Sequence, residues 1–218
     1  MKGVILCMYS GGLDSAGMLH FLLTKEEYRD YAVHVHHMHL VNPENRALVE
    51  HAATLGAMEH LRKSGYREFS YSESLHRYPA FNQQIIWDAD LCAFMAGNIC
   101  NATPDIRYVA LGRTKTDIDE AGHNFLARMA RAQEIFRAVK ALNQNPSEYI
   151  FPVAQLTKRE VWDAIPPELR AHTWSCRRPI YEGKTRAIAC GRCISCKALG
   201  IQPPPQKDAP AAPPAPAS

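Results

Sequence analysis

The chain has 218 residues, of which 46% are hydrophobic, and its 25 Lys and Arg against 22 Asp and Glu give a formal charge of +3. That length suits one α/β domain with a small appendage and enough apolar content for a core, while so small and scattered a positive excess excludes a nucleic-acid partner argued from charge alone. No run of about 18 apolar residues occurs, and the N-terminus follows a strand pattern where a leader would need a charged and then purely apolar stretch, so the expectation is a cytoplasmic chain with no membrane partner.

Residues 3–9 read as a short buried strand, and Leu19, Leu22 and Leu23 recur at helical spacing after the intervening SGGLDS. Two adjacent glycines, Gly11 and Gly12, let the backbone turn sharply, and a helix starting near Asp14 and Ser15 aims its unpaired N–H groups back at the turn. An anion belongs at such a junction. Ser10 and Ser15 add hydroxyl donors suited to phosphate, which a simple capped turn would not need on both sides of a Gly-Gly pair. The candidate phosphate-binding stretch is Tyr9, Ser10, Gly11, Gly12, Leu13, Asp14, Ser15, Ala16, Gly17, Met18 and Leu19. Neither the Walker spacing nor the dinucleotide glycine fingerprint is present.

Further strands are expected over residues 31–40, 67–72, 107–112 and 149–152, each separated by a segment of helical character. One helix, over 45–64, places Leu48, Ala52, Leu55 and Leu61 on one side; others are expected over 83–100 and 123–142. The fold class is therefore α/β, a mainly parallel five-stranded sheet flanked by helices, with ligands at the carboxyl ends of the strands. In the strand HVHHMH, His34 and His36 share one face and His37 and His39 the other, so the four cannot converge on one ion, and polar side chains at the nucleotide-facing end are the expectation. Thr157 and Glu160 form a capping-box pattern opening a helix that stops before Pro166 and Pro167. The expected division is 1–166 for the phosphate-binding α/β domain, 167–200 for a cysteine-bearing segment, and 201–218 for a disordered Pro- and Ala-rich tail.

Of seven cysteines, Cys7, Cys92 and Cys100 sit singly in apolar patterns and read as buried, inert thiols. Cys176, Cys190, Cys193 and Cys196 follow C-x13-C-x2-C-x2-C, which can close a tetrahedron around one structural Zn²⁺. An iron–sulfur cluster uses the same number of thiolates, and zinc is the expectation on ligand count and spacing.

SGGLDS at the start and SC…CGRCISC near the end together resemble 7-cyano-7-deazaguanine synthase of the PP-loop ATP pyrophosphatase superfamily, over residues 2–199. The resemblance implies a PP-loop fold and use of Mg²⁺-ATP to adenylate the carboxylate of 7-carboxy-7-deazaguanine. Ammonia then forms an amide, and a second activation dehydrates it to the nitrile. VALGRTKTD resembles the family's fourth-strand ending and implies that Asp117, with Asp14, lies near pyrophosphate and Mg²⁺. FPVAQLTKREV implies that Lys158 faces the phosphates, and ENRALVEHA makes Arg46 and Glu50 pocket candidates. Phe81 and Trp87 are candidates to stack on a flat base, against the ordinary reading of packed aromatics.

Typical members carry a tyrosine-proline-aspartate-cysteine-arginine stretch after the fourth strand, where this chain has IDEAGHNFLARMARA. They also carry a proline-glycine-arginine-asparagine turn where it has YPAFNQQIIWD. These departures leave room for a relative that uses the same adenylation to attach a deazapurine to a protein or nucleic-acid acceptor. A third reading is a non-catalytic nucleotide-binding zinc module, against which the Ser10, Asp14, Asp117 and Lys158 set speaks. A sulfur-inserting relative is disfavoured because no cysteine outside the cluster adjoins a recognised active-site loop. A homodimer is compatible with all of these.

Overall fold

β1, Gly3–Tyr9, is buried on both faces, with Ile5, Cys7 and Tyr9 on one side and Leu6 and Met8 on the other. Such two-sided apolarity is what a central parallel strand requires. The computed structural model describes residues 2–80, 85–120, 122–141, 145–183 and 186–204; the side chains of 120–125 are also outside it. Its main sheet has the order β3-β2-β1-β4-β5, all parallel, with β2 at Tyr31–Val41, β3 at Ser70–Arg77, β4 at Ile106–Leu111 and β5 at Glu148–Ile150. One face is covered by α1 (Leu13–Thr24), α2 (Ala47–Lys63), α6 (Lys158–Ala164) and α7 (Pro167–Arg170), which close a core around Leu19, Leu22, Met58, Val161 and Leu169. The other carries α3 (Asp88–Ala102) and α5 (Gly122–Lys140), packed through Ala93, Ala96, Ala132 and Phe136, and a short α4 (Lys115–Glu120) precedes α5. Strand order reverses between β1 and β4, and the crevice beyond their carboxyl ends is where an open α/β sheet binds ligands.

Three expectations need correction. The third strand is Ser70–Arg77, not 67–72. Its pairing to β2 runs through polar side chains: the His34 ring bonds Ser70 and Ser72, each at 2.7 Å, and His36 bonds Ser72 at 2.8 Å and Ser74 at 3.0 Å. A hydropathy pattern is blind to that ladder. On α2, Leu48 and Leu55 are 66% and 46% exposed and Ala52 also faces out, while Glu50, Thr54, Ala57, Met58 and Leu61 face in. Two polar residues thus occupy the buried stripe. The third long helix starts at Asp88, later than expected.

The capping box before α6 forms as read, with Thr157 Oγ1 accepting from the Glu160 amide at 3.2 Å and the Glu160 carboxylate accepting from the Thr157 amide at 2.7 Å. After α7 come a small antiparallel pair, β6 (Ile180–Glu182) and β7 (Arg186–Ile188), and α8 (Ile194–Ala198). Of the Pro- and Ala-rich tail, residues 205–218 lie outside the described residues. No described helix is long and apolar enough to cross a membrane.

Candidate active site

The turn after β1 is built by glycines for two separate reasons. Gly11 has φ +80°, and a Cβ there would stand 2.7 Å from the Glu50 carbonyl oxygen and 2.9 Å from Thr54 Oγ1. Gly12 is the N-cap of α1 in extended backbone, with no side-chain cap of its own. The two serines interlock: Ser10 Oγ and Ser15 Oγ lie 3.1 Å apart, and Ser15 Oγ donates to the Gly12 carbonyl at 2.9 Å. Segment 167–200 also reaches the loop. Ser175 Oγ accepts from the Leu13 amide at 3.1 Å, and the Trp174 amide donates to the Gly11 carbonyl at 2.8 Å. Ser175 supplies a first-turn acceptor that the Gly12 cap lacks, which no local reading of SGGLDS could find.

Three sequence-chosen residues from three elements meet beside this turn. Lys158 Nζ, in the first turn of α6, lies 2.5 Å from Asp14 Oδ2 on α1 and 2.8 Å from Asp117 Oδ1 on α4. Gly17 makes this possible, because a Cβ there would come within 2.4 Å of Val161 Cγ1, so α1 and α6 approach closely. The Lys115 amide donates to the Leu156 carbonyl at 2.7 Å and the Lys158 amide to Thr116 Oγ1 at 3.1 Å, pinning α4 against the start of α6. Asp117 Oδ2 accepts from the Thr114 amide at 3.1 Å and its hydroxyl at 2.9 Å. Burial raises the Asp14 carboxyl above its ordinary range, with Lys158 opposing. For Asp117 burial pushes up too, but Lys158 and the Thr114 donors outweigh it and the carboxyl is lowered. Burial works against the Lys158 ammonium, yet the two carboxylates prevail and hold it charged. Asp14 Oδ1 is buried with no hydrogen-bond partner. An unsatisfied carboxylate oxygen beside a second carboxylate is chemistry that suits a hard divalent cation such as Mg²⁺.

The turn opens on a cavity of about 650 Å³ at the carboxyl ends of β1 and β4, whose wall includes Tyr9, Ser10, Ser15, Gly112, Asp117 and Lys158. Gly112 is tight against α1, since a Cβ would lie 2.7 Å from the Ser15 amide nitrogen. The wall also holds Arg46, Glu50 and Trp87, with Phe81 outside the described residues. Arg46 is 7% exposed and ion-paired to Glu44 at 2.6 Å, to Asp88 at 2.7 Å and to Glu50. Burial lowers its pKa, but Glu50, Asp88 and Glu44 together outweigh that and raise it. Arg177 closes the cluster from the C-terminal segment, 3.3 Å from Glu44 and 3.4 Å from Asp88. Trp87 is 44% exposed and one ring face is covered by Arg128, whose Cζ lies 3.4 Å from the ring centroid. Sequence reading missed Glu44, Asp88, Arg128 and Arg177, whose signal is contact between distant segments. His36 lines the cavity, and so does Cys92, whose thiol burial pushes up to about 12 and so keeps protonated. Leu13, Ala16, Met18 and Leu19 are core residues, and of residues 9–19 Tyr9, Ser10 and Ser15 line the cavity.

Cys176, Cys190, Cys193 and Cys196 bring their sulfurs within 4.8 Å of one another. Backbone amides point at them: Cys190 N to Cys176 Sγ at 3.2 Å, Cys193 N and Arg192 N to Cys190 Sγ at 3.3 and 3.4 Å, and Arg177 N to Cys193 Sγ at 3.5 Å. Gly191, at φ +65°, lets the chain pass against Pro203, whose nitrogen would be 2.1 Å from a Cβ. Against the cost of burial, amide donors and neighbouring thiols lower Cys190 to about 6. Four clustered sulfurs served by N–H donors fit a closed tetrahedral metal site. Ile194, Ser195 and Ala198 of α8 complete the cavity wall, so this cluster also shapes the site.

No protein-family model and no curated protein matches this sequence. Ten chains of solved structures match it in fold. One is the U34-tRNA thiolase NcsA from Methanococcus maripaludis with its 4Fe-4S cluster, 14% identical with a TM-score of 0.44, covering 78% of this chain. The chain spans 57% of that thiolase's length. This chain's own architecture is a five-stranded parallel α/β sheet, with a four-cysteine cluster that could hold a metal.

Proposed function

We propose that the protein is a PP-loop ATP pyrophosphatase that adenylates a carboxylate, converting 7-carboxy-7-deazaguanine and ammonia to 7-cyano-7-deazaguanine. The observation that carries this reading is the meeting of Asp14, Asp117 and Lys158 beside the glycine turn, with Asp117 and Lys158 on the wall of the cavity at the strand-order reversal. Donors at Ser10, Gly11, Gly12 and Ser15 suit a departing pyrophosphate, and the Lys158 ammonium adds a point charge where negative charge grows. Asp14 and Asp117 would hold Mg²⁺, which supplies charge neutralisation to the phosphates when bound.

In the reaction, a carboxylate oxygen of the substrate bonds to the α-phosphorus of ATP as the bond to the β-phosphate oxygen breaks, giving acyl-AMP and pyrophosphate. Ammonia attacks the acyl carbon, AMP leaves and a proton is lost, giving the amide. The amide oxygen then bonds to the α-phosphorus of a second ATP as a second pyrophosphate leaves, and departure of AMP with loss of both amide protons gives the nitrile. The chain's part is to hold both reactants in line and exclude water, so no protein nucleophile is needed. That agrees with the protonated Cys92, and the four clustered cysteines would be left to hold one structural zinc ion per chain. Arg46, Arg177 and their carboxylates offer both donors and acceptors to a purine-like edge, and the open face of Trp87 offers stacking.

Incubation with Mg²⁺-ATP, ammonium and 7-carboxy-7-deazaguanine should yield AMP, pyrophosphate and a nitrile by mass spectrometry. AMP formation without nitrile would shift the assignment to transfer of the deazapurine onto a protein or nucleic acid. No nucleotide turnover would leave a non-catalytic zinc module.

A further inference from the structure

Apart from the four cysteines, the described residues bring together one other group of metal-ligating side chains: His37, His39 and His51, with ligand nitrogens within 4.8 Å of one another. It lies on the α1/α2 face of the sheet, away from the cavity face that His36 occupies. The sequence places His37 and His39 on one side of β2; the fold adds His51 from α2, its ring 4.1 Å centroid to centroid from His39 and 5.9 Å from His37. Glu73 of β3 stands at the same spot, with Oε2 3.1 Å from His39 Nε2 and 3.7 Å from His51 Nδ1 while accepting from Tyr71 Oη at 2.8 Å.

Two features separate this group from ordinary packed imidazoles. His37 is 1% exposed, and its Nδ1 lies 2.9 Å from the Tyr9 carbonyl oxygen and 3.3 Å from Thr54 Oγ1. A carbonyl only accepts, so Nδ1 carries the proton and Nε2 presents a lone pair. That Nε2 is buried and has no hydrogen-bond partner, and neither has the buried His51 Nδ1. Leaving one buried polar atom unsatisfied costs about 1–3 kcal/mol, so two in one cluster ask for a shared partner. A ring whose far N–H is fixed by a backbone carbonyl is also how metal-binding histidines are oriented.

The geometry points to a second metal site in this protein, in which His37 Nε2, His39 and His51 bind a borderline first-row divalent cation of the zinc class, with Glu73 as the carboxylate ligand. Three imidazoles and a carboxylate suit such a metal better than Mg²⁺ or Ca²⁺, which prefer an all-oxygen set. Glu73 and His51 are partly open to solvent, so the ion has a way in. The site ties β2, β3 and α2 together and reaches, through His37 Nδ1–H, the Tyr9 carbonyl at the end of β1 where the glycine turn begins. The proposal is independent of which carboxylate the cavity activates.

The test uses the full chain, stripped with a chelator and titrated with Zn²⁺ and, in parallel, Co²⁺, with metal content by elemental mass spectrometry. Cobalt bound by the cysteines is marked by thiolate charge-transfer absorption, which the histidine site lacks. Wild type should bind one equivalent beyond the thiolate-marked one, and His39→Gln and His51→Gln should weaken that equivalent at least about 10-fold with the charge-transfer band unchanged. Both substitutions are at partly exposed positions, and Glu73→Gln provides a third variant should either fail to fold. Equal uptake by wild type and the folded variants, or no wild-type uptake beyond the thiolate equivalent, overturns the site.

Discussion

Lys158→Met removes the ammonium that sits 2.5 Å from Asp14 and 2.8 Å from Asp117 while keeping an unbranched stem of similar length. Breaking a fully buried ion pair costs about 3–5 kcal/mol. Here the carboxylate side chains are 24% and 31% accessible and water screens part of the loss, so about 1–3 kcal/mol is expected. For a domain of this size that lowers the melting temperature by roughly 2–10 °C. Turnover should suffer far more, because a donor aimed at developing pyrophosphate charge is worth about 10²–10³ in rate. Lys158→Arg keeps the charge and should recover most of the stability. Its wider, planar head should recover only part of the rate. Pyrophosphate release by a coupled assay, beside a thermal melt, separates the two effects. A folded Lys158→Met protein turning over within about threefold of wild type would refute the reasoning, since the lysine would then be a structural counter-ion alone.

Gly11→Ala forces a side chain into φ +80° and against the Glu50 carbonyl, so a loss of about 2 kcal/mol or more is expected, read as a melting shift; an unchanged melt would contradict the close approach. Cys193→Ser, or stripping of metal from the four cysteines by a chelator, should lower the melting temperature and also weaken binding of the proposed ATP substrate. The cysteine segment carries Ser175 and Trp174 to the loop, and calorimetric titration with an ATP analogue measures the coupling. Arg46→Met should destabilise by about 3–5 kcal/mol because it strands Glu50, and the Arg46→Met/Glu50→Gln double variant should recover part of that in denaturant melts; strict additivity would mean the pair is not coupled.

The readable parts of this chain are those where local chemistry decides structure. β1 and the glycine turn show in hydropathy and glycine spacing, the α6 cap in Thr157 and Glu160, and the four-cysteine group in cysteine spacing. What resisted reading is set by partners far away in sequence. α2 turns Glu50 and Thr54 inward because Arg46 and His37 meet them there, leaving Leu48 and Leu55 outside. β3 pairs through serines and histidines, so alternation of apolar residues misplaced it. Arg177 reaches Glu44 and Ser175 reaches the loop from more than a hundred residues away, and His51 joins His37 and His39 only once α2 has packed on the sheet.

Exchange of labelled pyrophosphate into ATP tests the central chemistry most directly, because it reports reversible cleavage between the α- and β-phosphates before any product forms. The account predicts exchange that depends on Mg²⁺ and on the deazapurine carboxylate and is abolished in a folded Asp14→Ala protein. Release of ADP and phosphate in place of exchange, or undiminished exchange in Asp14→Ala, would contradict it.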